Sequence, residues 1–145
     1  MQTVRHILLL KGNVIWSVTP ESTAFDAIRL MADKDIGALL VMIGDNLIGI
    51  VSERDFARKL ILQGKSSKDT QICDVMTKQL FTIHPDQTVH ECMEILIENH
   101  IRHIPVVEDN KVISVISLGD VVNEIIYQQK ESIKSLETQL LNKKS

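Results

Sequence analysis

Apolar positions along this chain follow two different periods, and each period occurs twice. Helical spacing joins Ala24, Ala27, Ile28 and Met31, and later Val89, Met93, Leu96 and Ile97. Two apolar runs of strand length follow each series: Ala38 to Ile43 and Leu47 to Val51 after the first, His103 to Glu108 and Val112 to Ile116 after the second. The turn signals Gly44-Asp45-Asn46 and Asp109-Asn110 separate the members of each pair, which predicts two β-hairpins. Shorter strands are predicted at Ile15 to Val18 and Leu80 to Ile83, just ahead of Pro20 and Pro85.

The two series are in register. A shift of 65 positions lays Pro20 on Pro85, Thr23 on Thr88, Ile36 on Ile101, Val41 on Val106, Ile48 on Ile113, Ser52 on Ser117 and Asp55 on Asp120. Self-similarity held across a whole βαββα unit is an internal duplication. A short helical lead-in precedes each copy, Val4 to Leu8 with a turn at Lys11-Gly12-Asn13, and Ile72 to Thr77. The lead-ins correspond at a shift of 68, so the first copy carries three extra residues before its first strand. Thr23 with Asp26, and Thr88 with Glu91, have the spacing of a capping box at a helix start. These helices are expected to end near Asp35-Ile36-Gly37 and Asn99-His100-Ile101.

Gly64 reads as a helix C-cap, and the polar residues after it, to Gln71, as a surface connection. From Asp120 to about Asn142 the pattern is one long helix, with Ile126, Ile133 and Leu140 seven apart and Leu136 between them. Lys143-Lys144-Ser145 are expected to fray. The organisation is therefore a lead-in (1–15), a first repeat (16–63), a connection with the second lead-in (64–79), a second repeat (80–128) and a helical tail (129–145). The fold class is α/β (α+β).

Composition narrows the function. A chain of 145 residues with 44% hydrophobic residues can bury a core unaided. Aromatics at 3% leave that core to Ile, Leu and Val and supply no stacking platform for single-stranded nucleic acid. A formal charge of -3 gives no general field for phosphate backbones, so an anionic ligand needs a local site. Cys73 and Cys92 have no C-x-x-C spacing, which fits a reducing compartment without structural zinc. The apolar run Ile7 to Leu10 is too short for a signal sequence and no stretch is long enough to span a bilayer, so the expected location is the cytoplasm, with neither membrane nor nucleic acid as partner.

Ser52-Glu53-Arg54-Asp55 and Ser117-Leu118-Gly119-Asp120 each stand where a strand passes into a helix. One reading is a second pair of capping boxes, complete without a ligand. The other uses the same geometry: helix N–H groups and a serine hydroxyl for a phosphate, with a carboxylate one turn in to accept both hydroxyls of a ribose. His100 and His103 are three apart but have no cysteine or carboxylate to complete a metal set, and no metal site is expected. His6, His84 and His90 have no partner pattern and read as surface residues.

Gly49-Ile50-Val51-Ser52-Glu53-Arg54-Asp55, Arg102-His103-Ile104-Pro105-Val106 and Ile116-Ser117-Leu118-Gly119-Asp120 resemble the signature of tandem cystathionine-β-synthase (CBS) domains. The resemblance runs from about residue 4 to 128 and is strongest to small stand-alone members. It implies two repeats packed about a pseudo-twofold axis with two related clefts between them. Adenine would lie against Ala38, Leu39 and Leu40 in one cleft and His103, Ile104 and Pro105 in the other, bonded to backbone. Asp55 and Asp120 would hold ribose and Ser52 and Ser117 phosphate, with Arg54, Arg58 and Arg102 as phosphate cations, since an arginine fork suits phosphate. The implied ligands are AMP, ADP or ATP, with NAD(H) or S-adenosylmethionine as related possibilities. The implied role is regulation of an unidentified protein by a homodimer. Ser114 stands where the first repeat has Gly49, and Leu118-Gly119 where it has Glu53-Arg54, so the copies are not equivalent. The alternatives are an interaction protein that binds no ligand and a small nucleotide-acting enzyme. The chain has no nucleophile beside a base, no H-E-x-x-H and no P-loop.

Overall fold

Thr23 and Thr88 start the first helix of each repeat, each accepting the backbone N–H three residues on, at 3.1 and 3.0 Å. The carboxylate of Glu91 turns to Gln87 Nε2, 3.2 Å away, so that the capping here is carried by the threonine. A computed structural model describes residues 2–144. The helices are α1 (Val4–Lys11), α2 (Ala24–Lys34), α3 (Glu53–Phe56), α4 (Val89–Glu98) and α5 (Leu118–Lys144). The strands are β1 (Ser17–Val18), β2 (Ala38–Ile43), β3 (Asn46–Ser52), β4 (His103–Glu108) and β5 (Lys111–Ser117). The helix of α5 continues through Lys143 and Lys144; Ser145, the last residue expected to fray, lies outside the described residues.

Each repeat builds its sheet on the predicted hairpin. β2 and β3 pair antiparallel from Ala38 opposite Ser52, and β4 and β5 from His103 opposite Ser117. Asp109 and Asn110, both with positive φ, make the tight turn of the second hairpin. In the first repeat β1 adds a parallel strand beside β2. Its predicted counterpart, Leu80 to Ile83, does not form a strand. Only Ile83 pairs there, as an isolated parallel bridge to Val106, with Ile83 N–H to Pro105 O at 3.0 Å.

The lead-ins cross over. Val4, Ile7 and Leu8 of α1 are buried with Ile83, Val89, Leu96, Ile104 and Ile116, in the core of the second repeat. Ile72 and Val75 are buried with Ala24, Ala27, Leu39 and Val51, in the core of the first. The backbone contacts obey the internal symmetry: Val4 and Arg5 N–H donate to Gln87 and Pro85 carbonyls at 2.9 and 2.8 Å, and Ile72 and Cys73 to Ser22 and Pro20 at 2.8 and 3.0 Å. Arg5 adds ion pairs with Asp86 and Glu108 on the second repeat. This crossing brings the end of each lead-in beside the other repeat's strand-to-helix junction.

After Phe56 the helix widens into a π-helical turn, Ala57–Ile61, with Leu62 N–H donating to Ala57 O at 3.1 Å. It keeps Leu60 in the core and turns Ile61 and Leu62 to solvent. Gly64, at φ 66°, stops it.

Candidate functional site

Both strand-to-helix junctions form reciprocal caps. Ser52 Oγ accepts Asp55 N–H at 3.4 Å while Asp55 Oδ2 accepts Ser52 N–H at 2.9 Å. Ser117 Oγ accepts Asp120 N–H at 3.0 Å, and Asp120 Oδ2 accepts Ser117 N–H at 2.8 Å. Asp55 is buried and further engaged: Oδ1 accepts Thr77 Oγ1 at 2.9 Å and faces Lys59 Nζ at 3.0 Å, and Oδ2 also accepts the Ser52 hydroxyl at 3.2 Å. Asp120 is less buried and carries Lys11 Nζ on Oδ2. Burial pushes the Asp120 carboxyl up, but the bonds from Lys11 and Ser117 outweigh it and hold it below the usual carboxylate range.

Two clefts open between the repeats, and their walls match under the 65-residue shift. The first, of about 370 Å³, is lined by Ile50, Ser52, Arg54, Asp55, Phe81, Ile101, Arg102, His103 and Pro105, among others. The second, of about 320 Å³, has Val115, Ser117, Asp120, Trp16, Ile36, Gly37 and Ala38 in the equivalent places, with Lys11 and Asp35. Arg54 reaches from one repeat to the other, its NH1 donating to His100 O at 2.8 Å. His103 faces both clefts and forms the partition between them against Gly37, where a Cβ would stand 3.1 Å from His103 Nε2. Burial, Lys11 and Arg102 push the His103 imidazole below its ordinary pKa, against the pull of Asp120.

The structure thus gathers Ser52, Arg54, Asp55, Arg102, His103 and Pro105 in the first cleft, and Ala38, His103, Ser117 and Asp120 in the second. Leu39, Leu40 and Ile104 are fully buried and line neither. Backbone groups expected to meet adenine are partly engaged as well: Leu40 N–H donates to Trp16 O at 3.3 Å, and Pro105 O accepts Ile83 N–H. Arg58 is exposed on the π-helical turn and lines neither cleft.

Residues missed from the sequence are Lys11, Trp16, Thr77, Phe81 and His100. Trp16 and Phe81 had a signal, since they correspond under the repeat in a chain with few aromatics. Two histidines read as unpartnered are not: His6 Nε2 lies 3.2 Å from the buried Glu124, and His84 Nδ1 accepts Asp86 N–H at 3.0 Å. His84, Asp86 and Glu108 bring ligating atoms within 4.8 Å of one another, but the Arg5 guanidinium already pairs with both carboxylates. Cys92 is buried, and burial with the charge of Asp120 pushes its thiol up to about 11. It has no thiolate character at neutral pH.

The CBS-domain family profile matches residues 4–62 and 72–127. The chain belongs to the CBS-domain family, as a tandem pair, a general regulatory module. A mitochondrial CBS domain-containing protein of Arabidopsis thaliana, CBSX3, is 39% identical over 130 residues, covering 86% of this chain and 63% of that protein. The chain spans 54% of a 30%-identical Methanopyrus kandleri protein, so it is shorter than both relatives. The solved structure of a putative signal-transduction protein with CBS domains from Burkholderia ambifaria is 45% identical, with a TM-score of 0.85 over 88% of this chain and 96% of that one. Among the described residues no helix is long and apolar enough to cross a membrane.

Proposed function

We propose that the chain is a sensor that binds an adenine nucleotide (AMP, ADP or ATP, with NAD(H) or S-adenosylmethionine as the related candidates) between its repeats and passes the bound state to a partner protein. One observation carries this reading. Arg54 from the first repeat and Arg102 from the second converge on one cavity of about 370 Å³ that also holds Phe81 and His103. That volume falls within the roughly 300–1,000 Å³ of small-molecule pockets. Two guanidinium groups offer bidentate donors to phosphate, and the aromatic and histidine rings offer faces to a purine.

Family membership supports a regulatory role over an enzymatic one. So does Ser52, whose hydroxyl is engaged in its own cap, accepting from Asp55 N–H and donating to the Asp55 carboxylate. The reading sets the protein in the cytoplasm as a homodimer, in keeping with two free cysteines and with apolar residues exposed on the repeat helices. Mass spectrometry of nucleotide that co-purifies, followed by calorimetry with AMP, ATP, NADH and S-adenosylmethionine, tests it. A ligand that binds only the native state stabilises it by about 2.7 kcal/mol at a hundredfold excess over Kd. Arg54→Ala and Arg102→Ala should each weaken binding by about 1–3 kcal/mol, as for lost charged hydrogen bonds, without loss of fold. If none of the four ligands raises the melting temperature at millimolar concentration, the sensor reading fails.

A further inference from the structure

The second cleft carries a cation in its wall where the first has a neutral residue. Lys11 ends α1, and its Nζ donates to the Val115 carbonyl at 2.6 Å and to Asp120 Oδ2 at 2.5 Å. In the first cleft the equivalent acceptors are met by Thr77. Ile50 and Thr77 exchange backbone hydrogen bonds at 3.0 and 2.8 Å, and Thr77 Oγ1 donates to Asp55 Oδ1 at 2.9 Å. A lysine ammonium therefore does in the second repeat what a threonine does in the first. Under the 68-residue shift of the lead-ins Thr77 falls on Leu9 and Lys11 on Gln79, so the two groups reach equivalent acceptors from different positions. Lys59, the cation on Asp55, comes from the helix behind it and does not line the first cleft.

The charges around the clefts separate accordingly. With Asp55 neutralised by Lys59, the first cleft presents Arg54 and Arg102 against Glu53 alone. In the second, Lys11 is engaged by Asp120, which leaves Asp35 uncompensated in the wall. A phosphate meets net positive charge in one and net negative charge in the other. A ribose hydroxyl seeking Asp120 must compete with an ammonium that stands in the cleft itself, whereas the ammonium on Asp55 lies outside the first cleft.

We propose that Lys11 decides which cleft is filled. Its ammonium occupies the second cleft in the place of a ligand, so that each chain takes one nucleotide, in the first cleft. This inference rests on the adenylyl reading above and deepens it.

Calorimetry and native mass spectrometry with adenosine, AMP and ATP test it on the full chain, with Lys11→Met, Lys11→Gln and Arg102→Ala. Lys11→Gln supplies the residue that stands at the equivalent position, Gln79, in the wall of the first cleft, and serves if Lys11→Met proves unstable. The wild type should bind one nucleotide per chain, at least tenfold more weakly in Arg102→Ala. Either Lys11 variant should bind two adenosines, which bring no phosphate against Asp35 and the freed Asp120, with the first-cleft affinity for AMP kept within about twofold. Two sites of similar affinity in the wild type, one adenosine site in both folded Lys11 variants, or a single site indifferent to Arg102→Ala would each overturn the inference while leaving the adenylyl reading in place. Absence of binding by every protein overturns both.

Discussion

Gly49 and Ser114 occupy the same place in the two repeats and are held there by opposite constraints. A Cβ on Gly49 would stand 2.8 Å from Met76 Sδ and 3.1 Å from the Thr77 carbonyl, so the lead-in can approach β3 only over a glycine. Gly49→Ala should therefore destabilise the protein by about 1–3 kcal/mol, the usual cost of overpacking. Ser114 is fully buried, and its Oγ has no hydrogen-bond partner among the described residues. An unsatisfied buried hydroxyl costs about 1–3 kcal/mol, so Ser114→Ala should hold or raise the urea midpoint. A large loss of stability in Ser114→Ala would mean that the hydroxyl has a partner. The partition histidine makes a second prediction at this scale. The folded pKa of His103 lies below the ordinary 6.5, so the unfolded chain binds its proton first. The stability it contributes is whole above about pH 6.5 and falls as pH drops through that value toward the folded pKa. The charges facing it are Lys11, Arg102 and Asp120, with Glu53 across Gly37. His103→Gln should flatten the dependence of the urea midpoint between pH 7.5 and 5.5; an unchanged slope would assign it to other groups.

At the scale of elements, the sequence patterns carried the helices and hairpins because those are local. The threonine caps, the positive-φ turn at Asp109-Asn110 and the strand limits of β2 and β4 all follow from neighbouring residues. Three features needed tertiary information. Leu80 to Ile83 reads as a strand, yet Ile83 alone reaches Val106, while Phe81 turns into the cleft wall. The π-helical turn at Ala57–Ile61 has no glycine or proline to announce it. The crossing of the lead-ins is invisible in the apolar pattern, since Val4, Ile7 and Leu8 would look the same packed on either repeat. The site was legible in part for the same reason. The Ser-x-x-Asp junctions are local motifs, whereas Lys11 and Thr77 reach them only through the crossing. That crossing predicts cooperativity. Ile72, fully buried in the first repeat's core, is the start of the second repeat's lead-in, so Ile72→Ala should cost about 2–5 kcal/mol in a single unfolding transition. Two resolved transitions by circular dichroism would show that the repeats unfold independently.

At the scale of the whole molecule, one chain leaves apolar surface on both repeats. Ile61 and Leu62 on the π-helical turn are 70% and 80% exposed, and Ile97 and Ile126 on the helices of the second repeat are 60% and 44% exposed. Ile28, Met31, Phe56 and Ile61 border an apolar groove between α2 and α3. These residues lie on helices, so a partner would meet packed side chains and not open strand edges. The tail differs. Helix α5 has 27 residues, about 40 Å at 1.5 Å per residue, and Ile133, Leu136 and Leu140 are each more than half exposed along its far half. Exposed apolar stripes of this kind commonly mark interfaces, and a closed twofold dimer is the commonest way to cover them. Light scattering on the full chain should therefore give the mass of a dimer at micromolar concentration. A version ending at Gln128 should remain dimeric with a larger dissociation constant, because the helices of the repeats stay while the stripe is lost. A monomeric full chain sinks the prediction. A dimer that falls wholly apart on truncation would move the interface from the repeats to the tail.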